Sequence, residues 1–446
     1  MNNFLSHVND FLYSYILIFL LVGAGIYFSI RTRFVQLTLL KDAFLALKEK
    51  SSDGENASGK PVSSFQALMI STASRVGTGN IAGIATALAA GGPGAIFWMW
   101  IMAVIGGASA FVESTLAQVY KVKDGDSFRG GPSYYIERAL KKRWLGVLFS
   151  VLLICCFAYG FNGLQAYNIS SSLEYYVKDY SNTMLPAVVG AVLALLTAVV
   201  IFGGVHRISF ITSVLVPIMA GIYIVGSLVL ILMNITALPG AIKMIFVGAF
   251  NPEAVVGAGA GIAVREAIRF GVARGLFSNE AGMGSTPHAH ARAKVENPHK
   301  QGLAAMISVF IDTFIILNLT VFSILTTGVL DSGKEGTALT QAAFTKGFGN
   351  FGDIFVAVCL LFFAFSTILG WHFFGEVNVK YLFGEKAAKF YSILVIGFVI
   401  VGSTLKVQLV WSLSDFFNGL MVIPNAIALW ALSGVVVKIC KQYGKK

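Results

Sequence analysis

Between residues 257 and 293 the chain reads G-A-G-A-G-I-A-V-R-E-A-I-R-F-G-V-A-R-G-L-F-S-N-E-A-G-M-G-S-T-P-H-A-H-A-R-A. Hydropathy alone scores this stretch as a loop, whereas the charge around it demands a membrane crossing. That difference decides the fold. A helix needs about 20 apolar residues to cross a hydrocarbon core. Ten such runs are legible, at about 10–30, 64–90, 94–120, 145–170, 185–204, 208–234, 302–328, 351–379, 390–405 and 410–437. With the amino terminus outside and the Gly-rich stretch crossing once, 24 of the 33 Lys and Arg fall inside. Only Lys178, Lys243, Lys334, Lys346 and Lys406 fall outside, and Arg75, Arg265, Arg269 and Arg274 stay unassigned. Without that crossing every basic cluster after Gly302 changes sides, and the positive-inside bias collapses. The expectation is therefore eleven spans, amino terminus out and carboxyl terminus cytoplasmic.

Composition agrees. The 446 residues are 56% hydrophobic and 12% charged, against roughly 25% charged in soluble domains. Such a chain meets lipid over most of its surface. The net charge of +11 reads as orientation and not as a nucleic-acid footprint. Cys155, Cys156, Cys359 and Cys440 form no CxxC pair and have no His at ligand spacing, so neither a disulfide framework nor a zinc site is expected. The first span follows no basic start and lacks a small-residue cleavage site, which marks it as a retained helix. Lys48–Lys60 is charged and Ser-rich and reads as a flexible cytoplasmic loop.

An internal match lies within this frame. Arg75–Gly83 (R-V-G-T-G-N-I-A-G) and Arg274–Gly282 (R-G-L-F-S-N-E-A-G) share Arg, Asn, Ala and Gly at equal spacing, in spans of opposite direction. Setting aside the first helix, ten spans divide into two inverted sets of five: residues 1–63 hold the additional helix and loop, 64–234 the first repeat and 235–446 the second, all within one transporter domain. Paired, Gly-interrupted segments in inverted halves point to a secondary transporter's binding site. Glycine weakens a helix by about 1 kcal/mol against alanine. Gly77, Gly79 and Gly83, and Gly275, Gly282 and Gly284, are expected to break both helices near midplane. The freed amides and carbonyls must then line a cavity that holds a polar solute. The alternative is close helix packing through small residues. G-T-G-N-I-A-G is not a dinucleotide loop, because its spacing is wrong and it has no βαβ context.

At these residues the sequence resembles the sodium:alanine symporters, the alanine or glycine:cation symporter family. The resemblance is carried by VGTGNIAG (Val76–Gly83), GGPGAIFWMWIMAVIGG (Gly91–Gly107), GGPSYYIERAL (Gly130–Leu140), GLFSNEAGMGS (Gly275–Ser285) and ILGWHFFGE (Ile368–Glu376). It implies an all-α, leucine-transporter-like bundle of five-plus-five inverted helices, two of them discontinuous, preceded by one helix. It also implies Na⁺-driven uptake of small neutral amino acids, alanine or glycine, across a prokaryotic inner membrane. No cofactor is expected beyond Na⁺ as coupling ion, and the chain is expected to work as a monomer in the lipid bilayer. Carried over residue by residue, the resemblance places Thr78, Gly79 and Asn80 beside the substrate, with Asn80 also on a sodium. Phe277, Ser278, Asn279 and Gly282 supply the opposite wall, Gln165 an amide contact, and Trp371 the apolar lid. A second sodium falls to the carbonyls of Ala73 and Val76 and the hydroxyls of Ser366 and Thr367.

The remaining ionisable residues within spans each carry two readings. Asp312, in MISVFIDTFIILNLT, joins with Thr313 in the first sodium site, or else pairs with Arg274 or Arg75. Charged groups at midplane face protein or water, so Arg75 is expected to brace the broken helix through Glu113 or Glu280 in preference to touching substrate. Glu113 reads as one side of a structural ion pair, and Glu376 as a gate residue or a solvated one. His288, His290 and His299 read as a solvated, basic cytoplasmic loop, with a metal site the lesser alternative. FWMW is expected to pack the bundle. The rivals to a sodium symporter are the same fold driven by H⁺ or carrying another small amino acid, and an ion channel. No Walker A, HExxH or GxSxG pattern supports an enzyme or an ATP-driven pump.

Overall fold

Lipid offers backbone groups no hydrogen bonds, so apolar runs of this length form helices. The computed structural model describes residues 2–46, 62–125, 127–174, 176–177, 179–250, 260–295, 297–405 and 407–443. The expected loop at Lys48–Lys60 lies outside them. In chain order the main elements are α1 (Phe4–Arg31), α2 (Ser64–Arg75), α3 (Ala82–Gly91) and α4 (Gly94–Val119), then a hairpin of β1 (Val122–Asp124) and β2 (Ser127–Arg129). There follow α5 (Pro132–Leu140), α6 (Arg143–Ser171), α7 (Leu185–Ile201), α8 (Gly204–Met233), α9 (Leu238–Phe250), α10 (Ala260–Asn279) and α11 (Pro287–Arg292). The chain closes with α12 (Pro298–Thr327), α13 (Gly336–Phe348), α14 (Asn350–Phe383), α15 (Glu385–Thr404) and α16 (Val407–Tyr443).

Eight of these are long and apolar enough to cross a membrane, namely α1, α4, α6, α8, α12, α14, α15 and α16. The shorter α7 is likewise apolar. The other two expected spans are the interrupted pairs α2/α3 and α10/α11. Two further helices, α9, which is also short and apolar, and α13, were not expected as spans; α9 packs on α4 and α12, and α13 on α14 and α3. The FWMW aromatics do pack the bundle: Phe97 meets Phe246 and Phe250, and Trp100 donates its indole N–H to Asn318 Oδ1 at 2.8 Å.

The two broken helices lie antiparallel, because α2 packs on α11 while α3 packs on α10. Their interruptions therefore stand side by side, clasped by α4 and α12 on one flank and by α8 and α14 against α2. A capping box of Ser63 and Gln66 starts α2 by satisfying two orphan amides.

Glycine acts differently in the two breaks. In the first, no residue has positive φ, and glycine supplies space. A Cβ on Gly77 would stand 2.5 Å from Thr367 Oγ1, and one on Gly79 would stand 2.8 Å from the Phe277 ring. In the second, Gly282 (φ +82°) and Gly284 (φ +89°) supply conformation, and Glu280 joins them at φ +51°. Gly83 and Gly275, expected at the breaks, instead lie inside α3 and α10. There an added Cβ would make only ordinary contact with Trp411 and Met99, at 3.5 and 3.6 Å.

Candidate functional site

Three elements, the first break, α10 and α12, bring polar side chains together at one point between the breaks. After α2 the chain runs extended through Gly77, makes one 3₁₀ turn at Thr78–Asn80, and resumes as α3. Asn80 is fully buried, and its Nδ2 donates to Asp312 Oδ1 at 2.7 Å. Ser278, in the last turn of α10, donates from Oγ to Asp312 Oδ2 at 2.8 Å and also contacts Asn80 Oδ1. Asn279 Nδ2 donates to Thr313 Oγ1 at 3.4 Å, and Thr320 holds the Asn80 carbonyl at 2.6 Å. Asp312 and Thr313 sit in a π-helical segment of α12, Ile311–Leu317. Such bulges redirect side chains that a regular helix would aim elsewhere. The result is one carboxylate held by the Asn80 amide and the Ser278 hydroxyl, with the Asn80 Oδ1 and Thr313 Oγ1 oxygens close by; carboxylate, amide and hydroxyl oxygens are the donors that hard cations take. Among the described residues no group of three His, Cys, Asp or Glu stands ready for a transition metal.

A second group adjoins it. The Thr78 amide donates to Gln165 Oε1 at 3.2 Å, and Asn168 Nδ2 donates to Thr78 Oγ1 at 2.7 Å. This leaves Gln165 Nε2 buried with no hydrogen-bond partner among the described residues. An orphan amide at that depth is costly unless a ligand satisfies it. Gln165 lies just beyond another π-helical segment, Cys156–Phe161 in α6. Aromatic rings close the apolar side: Phe277 lies 4.8 Å from Phe161, 5.8 Å from Trp371 and 5.2 Å from Trp411, between ring centroids. The Trp371 indole N–H donates to Glu280 Oε1 at 2.6 Å, while Ser285 and Ser74 donate to Oε2. Glu280 thereby fixes the tryptophan ring and ties the two breaks together.

Thr367 Oγ1 donates to the Ala73 carbonyl at 2.8 Å, which brings α14 against the last turn of α2 beside Val76. Ser366 departs from the expectation. One residue earlier on α14, its hydroxyl turns to Met219 Sδ on α8 and to its own helix. Gly282 departs too: its amide donates to Glu113 Oε1 at 3.3 Å, away from the wall formed by Phe277, Ser278 and Asn279.

Most of the expected ion pairs resolve otherwise. Arg75 has no carboxylate within ion-pair distance among the described residues. It donates to Thr286 Oγ1 at 2.9 Å, to the Ala305 carbonyl at 3.2 Å and to Ser308 Oγ, so it braces the second break through neutral groups. Arg274 pairs with Asp415 in a two-pronged bond of 2.7 and 2.9 Å and lies 3.9 Å over the Trp411 ring. Asp312 is thus the partner of neither arginine. Glu113 accepts from the amides of Gly282 and Gly284 and from Asn425 Nδ2, in place of an ion pair. Glu376 lies 3.0 Å from Lys380.

The histidines are not a solvated loop. His288 and His290 are wholly buried in α11, and His299 is 5% exposed. His288 bridges the Ser285 carbonyl and Asn378, and His290 meets Gln301, because α11 is wedged between α2, α4 and α12.

A cavity of about 680 Å³ opens on the α3 side of the breaks. Asn168, Arg274, Trp411 and Asp415 are among its lining residues. Since Asn168 also bonds Thr78, this vestibule ends at the wall of the buried group. Sequence reasoning missed Asn168, although it follows Gln165 by three residues and so shares its helix face.

Comparison with known proteins fits this arrangement. The model of the sodium:alanine symporter family matches residues 1–446. The chain belongs to the sodium:alanine symporter family. Among its relatives is the probable sodium/glutamine symporter GlnT of Bacillus subtilis, 44% identical over 100% of this chain and 92% of that protein. Another is the sodium/alanine symporter AgcS of Methanococcus maripaludis, 39% identical over 98% and 96%. The crystal structure of MhsT in complex with L-phenylalanine superposes with a TM-score of 0.57 at 14% identity, covering 90% of this chain and 91% of that one. The chain therefore has the leucine-transporter-like fold and is a multi-pass membrane transporter, not an enzyme.

Proposed function

We propose that this family member couples Na⁺ entry to uptake of a small neutral amino acid, alanine or glycine, across a prokaryotic inner membrane by alternating access. The observation that carries the reading is the pairing, at the two breaks, of the Asn80–Ser278–Asp312 oxygen cluster with the orphan amide of Gln165. Na⁺ takes the first; the substrate carboxylate accepts from Gln165 Nε2 and lies over the backbone of Thr78 and Gly79. Asn80 serves both, and Asn279 and Thr313 complete the cation's surroundings. A second Na⁺ uses the carbonyls of Ala73 and Val76 with the Thr367 hydroxyl. Phe277 and Trp371 confine the side chain, with Glu280 holding the indole in place.

Coupling follows from differential stabilisation. A cation at Asn80 and Ser278 draws the two breaks together and neutralises the substrate carboxylate, which favours the occluded state. The vestibule on the α3 side is then the outer entrance, consistent with the amino terminus outside. One chain supplies every group named, which suits a monomer. The test is uptake of radiolabelled alanine, glycine, glutamine and phenylalanine into proteoliposomes, with and without a Na⁺ gradient at fixed pH. Alanine or glycine uptake that requires Na⁺ supports the reading. Alanine uptake undiminished without Na⁺ overturns the coupling ion, and preference for glutamine or phenylalanine overturns the substrate.

A further inference from the structure

A second cavity, of about 700 Å³, lies away from the transport site, where β1, β2, α5 and the ends of α6 and α14 meet. Lys123, Arg129, Arg138, Lys141 and Arg143 line it, against one acid, Glu137. Arg129 is engaged by Glu385 at 2.8 Å, and Arg143 stands 4.0 Å from Glu137. Among the described residues, Lys123, Arg138 and Lys141 meet no carboxylate within 4 Å. Three cations with no carboxylate partner among the described residues converge on one hollow.

Two further features point to an anion. Tyr134 lines the cavity, is 6% exposed, and its hydroxyl has no hydrogen-bond partner among the described residues. Burial raises its pKa to about 12, so it remains a donor at neutral pH. In addition, α6 begins at Arg143 with no side-chain cap on its first amides, and uncapped amides at a helix start favour negative charge.

The flank of the cavity identifies the source of that anion. From Arg143 the exposed apolar residues Trp144, Leu148 and Val151 run down one face of α6. Their spacing makes a lipid-facing stripe that starts at the basic rim. A headgroup in the hollow places its acyl chains on that stripe; free phosphate has no use for it. We propose that this cavity binds the phosphate of an anionic phospholipid headgroup, held by Lys123, Arg138, Lys141 and the Tyr134 hydroxyl. Basic pockets between helix ends on the cytoplasmic side recognise such headgroups. The inference rests on the orientation proposed above only for which leaflet supplies the lipid.

The test is native mass spectrometry and thermal unfolding of the purified full chain, first in phosphatidylcholine nanodiscs and then in nanodiscs containing phosphatidylglycerol. The expected result is retained phosphatidylglycerol and a raised melting temperature for the unaltered chain. The Arg138→Ala/Lys141→Ala double variant should lose retention by about tenfold or more, equivalent to about 1.4 kcal/mol. Tyr134→Phe, which keeps every charge, should weaken retention by a smaller factor, so the proposal stays testable if the double variant misfolds. Lys438→Ala, on the same predicted face but outside the cavity, should change neither readout. Equal retention by the double variant or by Tyr134→Phe overturns the proposal, as does equal loss in Lys438→Ala. Equal protection by inorganic phosphate in phosphatidylcholine overturns the lipid assignment. None of these readouts involves transport, so the Na⁺-coupling reading stands or falls separately.

Discussion

Gln165 spends one end of its amide on the Thr78 backbone and leaves the other without a partner among the described residues. On the proposed reading, that free end is the one that meets the substrate carboxylate. Gln165→Ala is expected to raise the half-saturating alanine concentration by about tenfold or more, the effect of losing a hydrogen bond to a charged group, while Na⁺ dependence persists. Asp312 makes the opposite prediction. Asp312→Asn keeps an oxygen for Asn80 and Ser278 but removes the charge, so half-saturation by Na⁺ should rise about tenfold or more with alanine recognition less affected; uptake titrated separately against each solute separates the two. Gly77→Ala should lower the melting temperature, because overpacking typically costs about 1–3 kcal/mol and the new Cβ meets Thr367. Adding Thr367→Ala should restore the melting temperature without restoring transport. Asp312 was legible as an ionisable group deep in an apolar run. The histidines were misread because their neighbours are basic, and only the packing of α11 shows them to be inside. Arg75 was expected to brace its own broken helix through an ion pair with Glu113 or Glu280; it instead reaches neutral groups of the second break and α12, partners out of sequence reach.

The elements were legible where hydropathy is unbroken and obscure where geometry turns on one residue. The ten apolar runs coincide with helices or, at 64–90, with an interrupted pair, since long apolar runs leave the backbone no other choice; the Gly-rich stretch, which hydropathy passed over, holds α10 and α11. The π segments at Cys156–Phe161 and Ile311–Leu317 gave no signal, because one extra residue per turn leaves the apolar pattern almost intact. They nevertheless set where Gln165 and Asp312 stand. Deleting Ile315 should restore a regular α12 and rotate part of the helix by about 100° relative to the rest. The expected outcome is a folded protein by circular dichroism that has lost Na⁺-stimulated uptake. Retained uptake would show that the bulge has no part in placing Asp312.

For the molecule as a whole, the positive-inside count led to eleven expected crossings and, on the proposed reading, to a vestibule that faces outward. The direction can be read chemically. With the native cysteines replaced, Thr337→Cys lines the α3-side cavity, so in right-side-out vesicles an impermeant maleimide should label it from outside. Labelling only in inverted vesicles would reverse the assignment of faces. What the count could not give is the asymmetry between the two halves. Glycine makes room in one break and makes turns in the other, although the nonapeptides match at four positions.

That asymmetry bears on stoichiometry. The amides of Gly282 and Gly284 are already occupied by Glu113, which Asn425 holds in turn. A solute carboxylate arriving at the second break competes with a tethered one that never diffuses away. Duplication of the backbone has therefore not duplicated the receptor. On the proposed reading, the second break keeps a resident carboxyl group on its amides, and only the first is left open to a solute.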